Sequence, residues 1–188
     1  EYDSAFFDKG PKFLHYWPDI AIIGAVEFDH ADIYANLEAI ERAFSLMVRL
    51  VPPDGSLIIP DDCPSARKIA STARCRVLRQ GMDSGSDLAL VSCEPLESGQ
   101  RIELQRSGRS LGAFQLPLAG EHNARNSMAA LLAFEAAGGE LAEGMRAMGS
   151  FRGPRRRLEV IFEGGGVLAY DDFAHHPTAV AHTLRTLR

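Results

Sequence analysis

The chain has 188 residues, of which 46% are hydrophobic, and a formal net charge of −5. This composition can build a packed core, and the negative charge argues against a general nucleic-acid binder. Three widely spaced cysteines without a CxxC pair argue against a disulfide scaffold or a zinc site. No apolar run approaches the roughly 20 residues of a membrane span. We therefore expect a protein of the reducing cytoplasm that neither inserts into a membrane nor binds nucleic acid.

The first predicted elements form a strand–helix–strand unit. Residues 20–26 are a continuous apolar run, typical of a strand buried on both faces of a parallel sheet. Apolar side chains recur every three or four positions over residues 37–50 and predict an amphipathic helix, which Pro52 and Pro53 end. Residues 56–59 predict the next strand, so the unit should be a parallel crossover.

The middle of the chain predicts an antiparallel extension of that sheet, followed by a helix. Short strands are expected at residues 88–91, 101–104 and 111–116, with a turn at residues 107–109. An Ala-rich helix is expected over residues 123–137, and the glycine pair that follows it should end it.

A second unit is expected after a boundary near residues 149–154. Residues 160–162 and 167–170 are apolar and flank the turn sequence Glu163-Gly164-Gly165-Gly166, as in a β-hairpin. A polar segment, Asp171-Asp172-Phe173-Ala174-His175-His176, then leads into a helix that should begin at Pro177. On its own this segment could hold a metal, contact a phosphate or cap the helix with solvated polar groups.

Five motifs, in this order, carry a resemblance to a known family. They are residues 1–9, residues 27–34, Gly120-x-His122-Asn123-x-x-Asn126, residues 153–159 and residues 171–178. Together they resemble the Mur ligases, the ATP-dependent amide ligases of bacterial cell-wall synthesis. The wording of the second and fifth motifs is similar to the branch of the family that acts on the recycled murein tripeptide.

The resemblance implies an α/β fold in two parts. Residues 1–150 should form a Mur ligase central ATP-binding domain, a mostly parallel sheet with helices and a small antiparallel extension. Residues 151–188 should begin a Rossmann-like C-terminal domain. The implied reaction uses ATP and Mg²⁺ to join UDP-N-acetylmuramate to L-alanyl-γ-D-glutamyl-meso-diaminopimelate through an acyl phosphate. No GxxxxGK[ST] phosphate loop occurs in the sequence, so we expect a piece of a longer ligase, inactive without the remainder of the same chain.

The second motif offers metal-binding side chains directly after a predicted strand. Asp29, His30 and Asp32 could bind a divalent ion that bridges nucleotide phosphates. The alternatives are that Asp32 caps a helix or that His30 is satisfied by its neighbours. The resemblance implies that His30 is a magnesium ligand and that a second ligand, a glutamate, precedes residue 1.

The third motif reads as a helix N-terminus. Gly120 allows the turn and Asn123 is a credible N-cap residue. Capping does not explain Asn126, which lies further along the predicted helix. Its amide carries a donor and an acceptor that could match those of adenine. The alternative is that Asn126 faces solvent and binds nothing. The resemblance implies that Asn126 reads adenine and that His122 and Asn123 shape the same pocket.

A basic run, Arg155-Arg156-Arg157 with Arg152, lies at the start of the second unit. Such a run is ordinarily a solvated hinge, although guanidinium groups also recognise phosphate. The resemblance implies that Arg157, or else Arg156, reaches the ATP phosphates. It further implies that Asp172 touches the ribose and that His175 and His176 approach the phosphates or the substrate, with their separate roles left open.

Other functions fit parts of the sequence. Within the family, the ligase that adds L-alanine to UDP-N-acetylmuramate is the alternative. A non-catalytic nucleotide-binding domain would keep Asn126 and Arg157 without a ligase partner domain. A metallohydrolase would bind its metal through Asp171, Asp172, His175 and His176.

Overall fold

The structure is a computed structural model that describes residues 10–31 and 33–187. The motif at residues 1–9 and the residue Asp32 lie outside this part of the chain. The described elements are a 3₁₀ helix (Lys12–His15), β1 (Ile20–Ile22), α1 (Leu37–Val48), β2 (Ser56–Pro60), α2 (Pro64–Ala70), β3 (Arg76–Gly81), β4 (Leu88–Pro95), β5 (Gln100–Arg106), β6 (Arg109–Leu116), α3 (Glu121–Ala136), α4 (Leu141–Met148), β7 (Glu159–Gly164), β8 (Val167–Asp171) and α5 (Pro177–Thr186).

Strands β1 to β6 form one sheet in sequence order, and β7 and β8 form a second sheet of two strands. Neighbouring strands from β1 to β4 are parallel, whereas β5 and β6 continue the sheet in antiparallel fashion. The predicted α/β architecture, a mostly parallel sheet with an antiparallel extension, is therefore confirmed. None of the described helices is long and apolar enough to cross a membrane.

The core has two layers, one on each face of the large sheet. All five residues of β2 are buried, and successive side chains of a strand point to opposite faces. Ile58 packs with Leu131 of α3, while Leu57 packs on the other face with Val48 of α1 and Ile69 of α2. Burying an apolar side chain of this size contributes about 1.5–3 kcal/mol. The helices packed on the two faces therefore stabilise the parallel strands and hold the ends of those strands in place.

The first strand differs from its prediction. It stops at Ile22 and does not run to residue 26, although the N–H of Ile23 still donates a hydrogen bond of 2.9 Å to the carbonyl oxygen of Ile58. Among the described strands, β1 pairs only with β2 and lies at the sheet edge. Ile22 is 48% exposed, so the prediction of a strand buried on both faces is wrong there.

Two elements between β2 and β4 have no counterpart in the sequence prediction. Helix α2 begins with Pro64 in its first turn, where the missing N–H costs nothing. Strand β3 pairs in parallel with β2 and places Gln80 beside Pro60 at the end of the sheet. The helix predicted over residues 37–50 is present as α1 and ends two residues earlier, at Val48.

The second unit has the predicted hairpin and helix. Strands β7 and β8 pair in antiparallel register around a turn in which Gly165 and Gly166 have φ angles of 58° and 75°, conformations that favour glycine. Helix α5 begins at Pro177, as predicted. Residues 149–158 lie between α4 and β7 and contain no helix or strand. We propose that the boundary between a domain of residues 1–150 and one of residues 151–188 falls in this segment.

Candidate functional site

A cleft with a volume of about 1410 Å³ opens at the carboxyl ends of the parallel strands. Its floor includes Pro60 of β2 and Gln80 of β3, the N-terminal half of α3 forms one wall, and the end of β8 with α5 forms the other. Open α/β sheets bind ligands at this edge because the loops that follow the strands converge there. A cleft of this size can hold a nucleotide together with part of a second substrate.

The cleft gathers most of the residues predicted from the sequence. Those that line it are His122, Asn123, Asn126, Arg157, Asp172 and His176, together with Glu27 and Asp29 from the loop after β1. Three predicted residues, His30, Arg156 and His175, are outside its lining. Side chains from four separate parts of the chain thus meet in one space.

The N-terminus of α3 differs in one detail from its prediction. Gly120, with φ of 95°, is the N-cap residue, and Asn123 already lies in the first turn, so the prediction of Asn123 as the N-cap is wrong. The Asn123 side chain donates a hydrogen bond of 2.7 Å from Nδ2 to the carbonyl oxygen of Ala119. A Cβ atom on Gly120 would lie 2.5 Å from Oγ1 of Thr186, so the close approach of α5 requires glycine here.

Asn126 stands one turn further along α3, on the wall of the cleft. Its side chain is exposed, and within residues 10–31 and 33–187 nothing hydrogen-bonds to its amide. The neighbouring Arg125 is held by ion pairs of 2.7 Å to Asp62 and 2.9 Å to Glu121. Arg125 thereby fixes the α3 backbone against the loop before α2, and the Asn126 amide remains available to a ligand in the cleft.

His122 faces His182 of α5 across the cleft, with ring centroids 5.9 Å apart. Burial lowers the pKa of His122, and the nearby His182 and Arg157 lower it further against the opposing effect of Asp172. A neutral imidazole has one acceptor nitrogen and one donor nitrogen. His122 can therefore hydrogen-bond to a polar ligand without adding charge beside Arg157.

The two candidate arginines have different surroundings. The Arg156 guanidinium pairs with Asp171, at 3.2 Å from Nε to Oδ2, and stacks over the Phe173 ring, 5.0 Å from its centroid. Arg157 lines the cleft, and no ion pair holds its guanidinium within the described part of the chain. Of the two, Arg157 has the free donors that phosphate recognition needs.

Asp172, which follows β8, accepts hydrogen bonds from neighbouring segments of the chain. Its Oδ2 accepts a hydrogen bond of 2.9 Å from the Leu158 N–H, and its Oδ1 accepts bonds of 2.8 Å from the Ala174 N–H and 3.3 Å from the Thr183 hydroxyl. Burial would raise the pKa of Asp172, but the hydrogen bonds from Ala174 and Leu158 outweigh burial and lower it. The carboxylate is therefore ionised and rigidly placed at the edge of the cleft.

The adjacent residues His175 and His176 have different surroundings. His175 lies outside the cleft lining, with Nδ1 3.0 Å from the Phe173 carbonyl oxygen and its ring edge-on to that phenyl ring. His176 lines the cleft, and its Nδ1 lies 3.4 Å from Oε2 of Glu27. The polar segment after β8 therefore splits its side chains among separate partners, and the metallohydrolase arrangement of two aspartates and two histidines around one ion is not formed.

The predicted metal ligand His30 lies within the segment between β1 and α1. It has φ of 53°, and its N–H donates a hydrogen bond of 2.7 Å to Oδ1 of Asp29. That bond is the main cause of the lowered pKa of Asp29. Within residues 10–31 and 33–187, no group of three or more His, Cys, Asp or Glu side chains is placed to hold a metal. Mg²⁺ needs only one or two protein carboxylates when phosphates and waters complete its shell, and Asp29 offers a carboxylate of this kind at the cleft.

Two positioning contacts were not predicted from the sequence. The Gln100 side chain is 2% exposed; its Nε2 donates a hydrogen bond of 3.0 Å to the Gly120 carbonyl oxygen, and its Oε1 accepts one of 2.6 Å from the Cys93 thiol. Glu27 accepts a hydrogen bond of 2.8 Å from Thr178, 151 residues away. Neither the Gln100–Gly120 contact nor the Glu27–Thr178 contact leaves a local pattern in the sequence, because the partners are 20 and 151 positions apart.

Comparison with known proteins assigns the chain to a family. Residues 11–134 match the family model described as the Mur ligase middle domain. The chain is 40% identical to UDP-N-acetylmuramate–L-alanyl-gamma-D-glutamyl-meso-2,6-diaminoheptandioate ligase of Escherichia coli, over 100% of this chain and 40% of that protein. It is 39% identical to UDP-N-acetylmuramate–L-alanine ligase of Salinispora arenicola, over 94% of this chain and 35% of that protein.

A solved structure is similar as well. The murein peptide ligase from Psychrobacter arcticus superimposes with a TM-score of 0.74 at 33% identity, covering 98% of this chain and 38% of that one. The chain spans about 40% of the length of the E. coli relative. Since the middle-domain model covers most of the residues and the fold agrees, the chain belongs to the Mur ligase middle domain family.

Proposed function

We propose that the full-length protein is a cytoplasmic ATP-dependent amide ligase of peptidoglycan recycling. It joins UDP-N-acetylmuramate to L-alanyl-γ-D-glutamyl-meso-diaminopimelate through an acyl phosphate. The observation that carries this proposal is the meeting of Asn126, Arg157 and His176 in one cleft at the carboxyl ends of the parallel strands. The relative of E. coli that matches the whole chain acts on the tripeptide substrate its name states, which supports the choice of acceptor.

In this proposal the wall formed by α3 receives adenine. The Asn126 amide offers a donor and an acceptor, which match N7 and the N6 amino group of adenine in a bidentate contact. Asn123 is already bound to Ala119, so it shapes the pocket and does not read the base. His122, kept neutral by burial, completes the same wall.

The opposite wall receives the ribose and the phosphates. Asp172 uses three hydrogen bonds within the protein, and a carboxylate has about four acceptor positions, so one position remains for a ribose hydroxyl. The Arg157 guanidinium carries its N–H donors in a planar fork and offers them to phosphate oxygens. Arg156 does not line the cleft, but its ion pair with Asp171 supports this wall.

Bound Mg²⁺ would neutralise developing charge on the transferred phosphoryl group. Asp29 and His30, next to each other after β1, are the residues of this chain that we propose to hold it. Asp29 is suited to this because its pKa is lowered and its carboxylate is ionised. His176, and not His175, is the histidine that faces the reacting groups in this proposal.

A second candidate within the family is the ligase that adds L-alanine, because the Salinispora arenicola protein of that name is nearly as similar to this chain. Phosphate release by the full-length protein, with ATP and UDP-N-acetylmuramate and either the tripeptide or L-alanine, distinguishes the two. We expect release that depends on the tripeptide. Release with L-alanine alone would favour the second candidate, and nucleotide binding without release would favour a non-catalytic nucleotide-binding domain.

A further inference from the structure

Glu27 joins the two sides of the cleft. It lies on the loop after β1, and its Oε2 accepts a hydrogen bond of 2.8 Å from the Thr178 hydroxyl in the first turn of α5. The same oxygen is 3.4 Å from Nδ1 of His176, the residue that precedes α5. One carboxylate oxygen thus accepts a hydrogen bond from Thr178 and lies within ion-pair distance of His176, both on the opposite wall.

The position of Glu27 suits a closing contact. A carboxylate near the N-terminus of a helix interacts favourably with the unpaired N–H groups and the helix dipole, and Glu27 meets α5 at that end. The Glu27 and His176 side chains keep 44% and 30% of their surface exposed, so the contact can open without unfolding either unit. The contact joins side chains from the two sides of the cleft, so opening the cleft would break it.

The contact also distinguishes the two histidines. Nδ1 of His176 faces Glu27, which leaves Nε2 of the same ring for a ligand in the cleft, whereas His175 is turned to Phe173. A carboxylate that holds one ring nitrogen sets the orientation of the other, a device common to metal and catalytic histidines.

We propose that Glu27 is a positioning residue that closes the cleft through Thr178 and orients the His176 imidazole toward the bound substrates. It couples closure to assembly of the site, since the histidine is oriented only when α5 docks on the loop after β1. The orienting role rests on the proposed function, whereas the closing role does not depend on any ligand.

Distance measurements test the closing role. Spin labels at the exposed positions Arg42 and Glu163, introduced as noncanonical amino acids, leave the three native cysteines untouched. In the full-length protein without nucleotide we expect a longer and broader distance distribution for Glu27→Ala and for Thr178→Val than for the unchanged protein. Glu27→Gln keeps an acceptor for Thr178 and should restore most of the short distances. The double variant Glu27→Ala/Thr178→Val should open no further than either single variant, because both remove one contact.

The matched control is Glu38→Gln, an exposed carboxylate on α1 outside the cleft lining, which should leave the distribution unchanged. Melting curves of each variant show whether unfolding could cause a change in the distance distribution. A Glu27→Ala distribution that superimposes on that of the unchanged protein would overturn the closing role.

Steady-state kinetics test the orienting role. We expect Glu27→Ala to lower kcat for ligation about tenfold while the KM for ATP stays within about twofold, the pattern of a lost orientation rather than lost binding. His176→Gln should lower kcat more than His175→Gln does. Opening of the cleft with an unchanged kcat would overturn the orienting role alone. If the unchanged protein ligates nothing, the proposed function fails, and the distance measurements still decide whether Glu27 closes the cleft.

Discussion

The Gln100 side-chain amide donates a hydrogen bond of 3.0 Å to the carbonyl oxygen of Gly120, the N-cap residue of α3. Gln100 is 2% exposed and begins β5, so the antiparallel extension of the sheet reaches back to hold the helix that carries Asn126. The extension therefore supports the candidate nucleotide pocket as well as the core.

Gln100→Leu should destabilise the protein. The substitution leaves the Gly120 carbonyl oxygen and the Cys93 thiol without their partner, and an unpaired buried polar group costs about 1–3 kcal/mol. The measurement is urea unfolding followed by circular dichroism. As a control, Gln115→Leu on β6 changes an exposed glutamine and should stay within about 0.5 kcal/mol. Equal effects of the two substitutions would mean that the Gly120 contact contributes nothing.

Asn126→Ala should weaken ATP binding. Loss of a bidentate contact to adenine costs roughly 1–3 kcal/mol, which is about a 5- to 150-fold loss of affinity. GTP cannot make the same contact, so its affinity should change little and the preference for ATP should narrow. Calorimetric titration of both nucleotides measures the difference. A variant that keeps the original preference would remove Asn126 from the role of adenine reader.

His30→Ala should raise the magnesium concentration that the full-length protein requires for ligation. The imidazole follows Asp29 on the loop after β1, and removing a ligand or its support weakens the metal site. Magnesium titrations of the ligation rate at saturating ATP give the half-maximal concentration. Identical titration curves for the variant and the unchanged protein would contradict a metal role for His30.

The Asp172 carboxylate should contribute to stability in a pH-dependent way. Its pKa is lower in the folded protein than the usual aspartate value near 4, so the unfolded chain binds the proton more tightly. The contribution is therefore fully present above about pH 4 and is lost as the pH falls below that value. Unfolding free energies of Asp172→Asn, measured from pH 6 to pH 3, should fall less steeply than those of the unchanged protein. Parallel curves would show that the hydrogen bonds to Ala174 and Leu158 do not favour the charged form.

The 188 residues alone should neither ligate nor hydrolyse ATP above background. Phosphoryl transfer depends on positioning and charge neutralisation around the phosphates, and the sequence contains no phosphate loop for that purpose. The measurement is phosphate release by the purified chain, compared with phosphate release by the full-length protein in the presence of the same substrates. Substrate-dependent release by the 188 residues would require a different phosphate site within them.

Local patterns in the sequence determined the elements that depend on near neighbours. The spacing of apolar residues predicted α1, the glycine turn predicted the β7–β8 hairpin, and Pro177 marked the start of α5. These signals are reliable because helix periodicity and turn conformation involve residues only a few positions apart. The five motifs, in their order along the chain, were likewise enough to recognise the resemblance to the family, because that recognition needs no coordinates.

Tertiary packing alone decided which predicted side chains share the cleft. Arg156 and Arg157 are neighbours with identical side chains, yet Arg156 is paired with Asp171 and Arg157 faces the cleft. His175 and His176 separate in the same way, because Glu27, 151 residues from Thr178, meets only the second of them. Long-range contacts of this kind depend on how the walls of the cleft dock, and no periodicity or turn signal encodes that docking.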